Sequence, residues 1–162
     1  TNNRRLNVLK KEVEYEPEKE YSNRQALNID ELSKMTDYVD FQAHSKFHPV
    51  LTTCNDNECI EELQDSKEKL QNLLKEEITH FSYPNGDYKR REIRLLKDSG
   101  YKSARTCDLG WNDINSNPFK LKAMGIQDDA SINVLCAQLC GIFGYFRFLR
   151  NGSFNGKHPE FV

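Results

Sequence analysis

The feature that most constrains this chain is a change of hydrophobic period that repeats along its middle. Val39, Phe41 and Ala43 alternate with Asp40 and Gln42, the period of a half-buried strand, and the run leads straight into His44. Beyond Pro49 the period lengthens: Ile60, Leu63, Leu70, Leu73 and Leu74 mark one face of a helix, and Asn55 followed by Glu58 has the signature of a capping box at its start. Asp65 and Lys69 stand at the spacing of an i,i+4 ion pair on its wet side. Ile78 to Tyr83 returns to a strand, stopped by the turn residues Pro84-Asn85-Gly86. Lys89 to Ser99 predicts the next helix, with Ile93 and Leu96 inward and Gly100 placed for a left-handed C-cap. Tyr101 to Thr106 predicts another strand. Strand, helix, strand, helix, strand at these intervals predicts an α/β domain with parallel strands. Ligand sites in such folds gather at the carboxyl ends of strands, and His44 and Pro84 both fall there.

The flanks differ in texture. A chain of 162 residues is one domain's worth, and it divides into a polar lead-in over 1–26, the α/β unit over 27–127, and a C-terminal helix and tail over 128–162. Arg4 to Glu20 is dense in Lys, Arg and Glu and predicts a short helix fraying into loop at Pro17. Leu27 to Met35 predicts a helix with Asn28 or Asp30 as its cap. Ile132, Leu135, Cys136, Leu139, Phe143 and Phe146 lie on one helical face, started by Asp129 or Ser131. That helix is expected to pack on the domain. A second reading is an interfacial anchor, with aromatic residues beside Arg147, Arg150 and Lys157 making peripheral membrane contact through 143–157. No apolar run reaches the length of about 20 residues that a membrane span requires, so no transmembrane span is expected. Basic residues number 23 against 25 acidic, a net charge of -2, which lacks the basic excess of a nucleic-acid binder. Five cysteines, an odd count, predict ordinary buried or half-buried thiols rather than a disulfide framework and lean toward the cytoplasm.

Two segments carry chemistry. In His44-Ser45-Lys46-Phe47-His48-Pro49, two imidazoles with three residues between them can close on one metal ion if the segment turns helically. A divalent ion such as Zn²⁺ takes imidazole nitrogen at about 2.0–2.1 Å, and a catalytic one keeps a position for water and lowers its pKa to about 7. The bland alternative is a pair of surface or core histidines. In Phe81-Ser82-Tyr83-Pro84-Asn85-Gly86, the bland reading is a turn after a strand. A functional reading has Gly86 admit a ligand close to the backbone and the Asn85 N–H stabilise an oxyanion, an effect worth about 2.7–4 kcal/mol per donor.

Together FQAHSKFHPVLT, a helix, FSYPNG, a helix and GYKSART resemble the polysaccharide deacetylase domain, the NodB-homology domain of carbohydrate esterase family 4, over Leu27 to Thr106. The resemblance implies a partial deacetylase-type (β/α) barrel with parallel strands, followed by the C-terminal amphipathic helix. It implies metal-dependent hydrolytic removal of acetyl groups from an acetylated carbohydrate. His44 and His48 match the family's H-[ST]-x-x-H-P motif and take its metal-ligand roles. Asn85 takes the backbone oxyanion role by its place in the family's R-x-P-[FY]-G loop. Tyr83, Pro84, Gly86 and Trp111 are expected along the substrate groove. Zn is the implied ion, and two imidazoles suit Co or Ni as well.

The departures are specific. No Asp-Asp pair stands upstream of His44 to supply the family's base and third ligand; the one pair, Asp128-Asp129, lies far downstream. Ser82 stands where the loop motif has the arginine that orients that base. The family's late leucine-histidine motif has no match, and His80 and His158 sit in unrelated contexts. The family's first strand and its Asp motif would precede Thr1, so the chain is expected to start partway through the fold and, alone, to turn over little. Two alternatives stand beside this reading: a catalytically degenerate module that binds glycan or a partner protein, and an unrelated α/β domain with satisfied histidines.

Overall fold

A computed structural model of the chain describes residues 8, 11, 26–125 and 129–152. Apart from Val8 and Lys11, the expected lead-in over Arg4 to Glu20 lies outside the described residues, as do Asp128, Lys157 and His158. Helix α1 (Ile29–Met35) starts at Asn28, whose side chain accepts from the Glu31 N–H while Glu31 accepts from the Asn28 N–H. This is the reciprocal cap that satisfies two orphan donors at once. The same device, with Asn55 and Glu58, starts helix α2 (Asp56–Leu74) where the sequence placed it. Helix α3 (Arg90–Asp98) follows, and Gly100 turns the chain out of it at φ +75°.

The strands are β1 (His80–Ser82), β2 (Ser103–Leu109) and β3 (Leu121–Ala123), joined in the order β1-β2-β3 as a parallel sheet. The register pairs His80 with Ser103, Phe81 with Ala104 and Ser82 with Arg105. The strand expected over Val39 to Ala43 contracts to a single parallel bridge between Ala43 and Phe81. Its physical reason is Gln42. The side-chain carbonyl of Gln42 accepts the N–H groups of Thr79 and His80 at 3.1 and 2.9 Å. A side chain thus does what a longer ladder would otherwise do, and only Ala43 remains in backbone register, donating to His80 O and accepting from Ser82.

Alternation then sorts the sheet's faces. Ala43, Phe81 and Ala104 point into the core with Leu51, Cys59, Leu63, Ile78, Leu96 and Tyr101, all buried. Complete burial of such aliphatic and aromatic side chains stabilises by about 1.5–3 kcal/mol each. Gln42, His44, His80, Ser82, Ser103 and Arg105 take the opposite, polar face. On α2 the buried residues are Cys59, Glu62, Leu63 and Ser66, while Leu73 stays exposed. Asp65, expected to pair with Lys69 on its own helix, pairs instead with Lys46 in the loop after His44.

The C-terminal amphipathic segment is two helices, α4 (Ile132–Leu139) and α5 (Ile142–Asn151), bent by 63°. Gly141 at φ +78° makes the break, a conformation glycine reaches without strain. The expected packing of this face on the domain does not occur. No residue of α4 is buried, and Ile132, Leu139, Phe143, Tyr145, Phe146 and Leu149 are exposed. Gln138 donates to Gly125 O, and Gly141 lies beside the Trp111 indole. Among the described residues no single helix is long and apolar enough to cross a membrane, although α4 and α5 together have the length and composition of a bent pair.

Candidate metal centre

His44 and His48 come together. Their ring centroids are 4.8 Å apart with the planes at 74°. Nδ1 of His44 lies 2.7 Å from the Ser82 carbonyl oxygen at the end of β1. A carbonyl can only accept, so Nδ1 carries the hydrogen, and in the neutral ring the lone pair is left on Nε2. A backbone carbonyl that fixes tautomer and ring orientation in this way is a common outer partner of a metal-bound histidine.

The loop between the rings does not turn helically, as the sequence reading required. Ser45 and His48 both adopt the left-handed region, at φ 64° and 53°, which costs a residue with a Cβ roughly 1–2 kcal/mol. Strain of this kind at non-glycine positions persists where surrounding structure holds it, and it clusters at functional sites. Three contacts hold it here. The Ser45 hydroxyl accepts from the His48 N–H at 3.0 Å. Glu62, 4% exposed on α2, accepts the N–H groups of Lys46 and Phe47 on one oxygen, at 2.9 and 2.8 Å. Asp65 takes the Lys46 ammonium. Beyond Pro49, Arg91 of α3 donates to Leu51 O and Cys54 O, both at 2.8 Å, and fixes the exit of the loop.

Glu62 was not singled out from the sequence. Its signal was available: an acidic residue one place before Leu63, on the apolar side of α2, where a carboxylate needs partners to be buried.

The turn at the end of β1 sits against the same strand end, since the residue whose carbonyl holds His44 precedes Tyr83 and Pro84. Asn85 takes φ 56° and ψ 4°, and its N–H has no backbone acceptor among the described residues. Three expectations for this loop change. Tyr83 and Pro84 are buried rather than lining a groove: Tyr83 stacks on Tyr88 at 4.9 Å, and its hydroxyl donates to Phe119 O. Burial pushes that phenol well above its ordinary pKa, with the nearby Tyr88 and Glu92 acting in the same direction. Gly86 makes room for protein rather than ligand, because a Cβ there would lie 2.7 Å from Cys107 Cβ. Trp111 is half in solvent, 45% exposed beyond the end of β2.

The donors fit part of a metal site. Two imidazoles on one tetrahedral ion, at about 2.0–2.1 Å per nitrogen, have centroids roughly 5 Å apart, and the observed spacing agrees with that. Among the described residues no group of three or more His, Cys, Asp or Glu side chains could hold an ion. The ring spacing thus fits two imidazoles on one ion, and no third donor stands with them among the described residues.

Solved structures share the fold. The Streptococcus pyogenes deacetylase PplD, in complex with acetate, superposes with a TM-score of 0.65 at 22% identity, covering 71% of this chain and 51% of that one. A polysaccharide deacetylase from Bacillus cereus gives 0.64 at 19% identity, covering 86% of this chain and 48% of its own. A de-N-acetylase from Aggregatibacter actinomycetemcomitans gives 0.55 at 14%, covering 73% and 57%. At these identities the likeness establishes the fold, and the chain spans about half the length of the first two structures. Among curated proteins, comparison by sequence finds no match. The family described as polysaccharide deacetylase, however, matches residues 14–104, more than half of the 162, and the chain belongs to it.

Proposed function

We propose that this chain is the histidine-bearing part of a carbohydrate deacetylase, in which His44 and His48 hold a divalent metal ion, Zn first and Co or Ni as alternatives. The observation that carries the reading is the pair of imidazoles 4.8 Å apart, one of them fixed through Nδ1 to the Ser82 carbonyl. When bound, such an ion supplies an acidified water and polarises the acyl oxygen of an acetamide or acetyl ester. The chain's own residues do the rest. The Ser82 carbonyl holds the His44 tautomer, Glu62 and Ser45 hold the loop, and the Asn85 N–H donates to the oxygen that gains negative charge. A carboxylate base is expected from outside the described residues. By this reading the 162 residues alone bind metal weakly and release little acetate.

Calorimetric Zn²⁺ titration of the chain and of His44→Ala and His48→Ala tests the centre. Saturable one-site binding that either substitution abolishes is the expected result. Metal content unchanged in both variants would return the two histidines to surface residues. Robust metal-dependent acetate release from an acetylated oligosaccharide by these 162 residues would remove the claim of incompleteness.

A second reading, a non-catalytic module that binds glycan or a partner protein, is favoured by Ser82 in place of the loop arginine. Glycan binding without acetate release, in a longer chain that carries an Asp-Asp strand, would select it. The exposed Tyr145, Phe146, Phe148 and Leu149 of α5 further support contact with a membrane surface. Flotation with anionic liposomes tests that, and an unbound chain would exclude it.

A further inference from the structure

The capping box that starts α2 is flanked by two cysteines. In Cys54-Asn55-Asp56-Asn57-Glu58-Cys59, Asn55 is the cap and Glu58 the third helical residue, each accepting the other's N–H. Cys54 is therefore the residue before the cap, and Cys59 the fourth residue of the helix. Those are the two positions of a hydrophobic staple, whose side chains pack on each other across the first turn. Here the staple is made of two free thiols. Cys59 is fully buried, and the half-buried Cys54 packs against the same core cluster. Their sulfurs sit against neighbouring carbonyls of one turn: Cys54 Sγ lies 3.7 Å from Val50 O, and Cys59 Sγ 3.2 Å from Leu51 O. Arg91 Nη2 approaches Cys59 Sγ at 3.4 Å.

We propose that Cys54 and Cys59 form a reversible dithiol that closes into a disulfide when a small disulfide oxidant such as oxidised glutathione is present. The surroundings tolerate the loss of both S–H donors. Val50 O keeps the N–H and the hydroxyl of Thr53, at 2.9 and 2.8 Å. Leu51 O keeps the Cys54 N–H and Arg91, at 3.1 and 2.8 Å. No buried acceptor is orphaned by oxidation. Exposure sets the order of events. The Cys54 thiolate, its proton lost to water, attacks one sulfur of the oxidant, and one glutathione thiolate leaves. The Cys59 thiolate then attacks the Cys54 sulfur from the core side, and the second glutathione leaves. Two protein thiols are oxidised and one glutathione disulfide is reduced to two thiols. Burial raises both thiols, with Glu58 and Glu62 adding to it at Cys54; Arg91 opposes the shift at each, and a side-chain hydrogen bond from Cys59 opposes it at Cys54. Closure is accordingly slow at neutral pH and faster as pH rises. The bond would tie the segment leaving Pro49 to the first turn of the helix that carries Glu62.

The test incubates the folded chain with mixtures of reduced and oxidised glutathione at pH 8. After an acid quench, the remaining thiols are blocked with N-ethylmaleimide in denaturant, and the chain is cut after glutamate, which separates Glu58 from Cys59. The expected result is two fragments joined through Cys54 and Cys59, lighter by two hydrogens than the pair of free thiols, with dithiothreitol restoring both. Cys59→Ala should instead retain glutathione on Cys54, because the resolving thiol is gone. Cys54→Ser, at the half-buried position, should leave Cys59 unmodified, and an unchanged amide spectrum shows that this variant folds. Separate blocking of Cys54 and Cys59 at every mixture would overturn the proposal. So would glutathione held on Cys54 of the unsubstituted chain while Cys59 stays a free thiol.

Discussion

Replacing Glu62 by Ala asks whether the loop between the two histidines is held from below. In the folded chain one carboxylate oxygen takes two backbone N–H groups, from Lys46 and Phe47, at 2.9 and 2.8 Å. Hydrogen bonds to a charged group contribute about 1.5–3 kcal/mol each, and freed donors on an accessible loop recover part of that from water, so about 2–4 kcal/mol is expected for the pair. The loop they brace has Ser45 and His48 in left-handed conformations, a strain of about 1–2 kcal/mol per residue. Without Glu62 the two effects act together: the strain relaxes, and His48 leaves its place beside His44. Urea unfolding of Glu62→Ala should show a loss of about 2–4 kcal/mol. Glu62→Gln keeps one acceptor oxygen and should lose about 1 kcal/mol. If the histidines bind metal as proposed, a loop penalty of about 2–3 kcal/mol weakens Zn²⁺ by about 30- to 150-fold, since 1.4 kcal/mol is about a factor of ten. Unfolding free energy and the His44–His48 ring contact both unchanged in Glu62→Ala would refute the reasoning.

Other perturbations have equally direct readouts. Gly86→Ala places a Cβ 2.7 Å from Cys107 Cβ at φ +77°, and should destabilise by about 2–4 kcal/mol; combining it with Cys107→Gly should recover part, and a neutral single variant would contradict the close approach. Lys75 ends α2 in the left-handed region at φ 60°, so Lys75→Gly should stabilise by about 0.5–1 kcal/mol, a rise in Tm of about 1–4 °C; an unchanged or lower Tm would count against it. Burial raises the Tyr101 phenol from 10.0 to about 12 and the Cys59 thiol from 9.0 to about 12. Because the folded values lie above the unfolded ones, their contribution is intact below about pH 9 and is lost as pH climbs toward 12. Chemical denaturation should therefore report falling stability across that alkaline window, by about 2–3 kcal/mol from Tyr101, and a flat profile would contradict it. For the same reason Cys59 should resist alkylation at pH 8 while the exposed Cys136 and Cys140 react.

Much of the fold was legible because it rests on local rules. The capping box at Asn55, the left-handed Gly100 and the strand–helix alternation each depend on neighbouring residues, and all three appear where the pattern put them. Strand β3 was overlooked although Leu121 and Ala123 alternate with Lys120 and Lys122. The short strand at 39–43 was overextended because a distant pair of amides takes the Gln42 side chain, a contact 37 and 38 residues away in sequence. At the site, the spacing of His44 and His48 was readable, but the means of bringing them together was not. It depends on left-handed backbone at two non-glycine residues and on Glu62 fifteen and sixteen residues downstream. Tyr83 and Pro84 were misplaced in a groove because motif position does not report burial, and Gly86 because its missing Cβ makes room for Cys107. The chain's exposed C-terminal aromatic residues likewise share a helical period with core residues, and period alone does not say what covers a face. Cys136 and Cys140, expected at least half-buried, are exposed for the same reason.

The most direct test is anomalous diffraction at the zinc edge from crystals of this chain grown with Zn²⁺. A single anomalous peak bonded to both His44 and His48, at about 2.0–2.1 Å from each ring nitrogen, with the His44 Nδ1 contact to Ser82 O retained, is the expected result. A peak elsewhere, or no density shared by those two rings at saturating zinc, would contradict it.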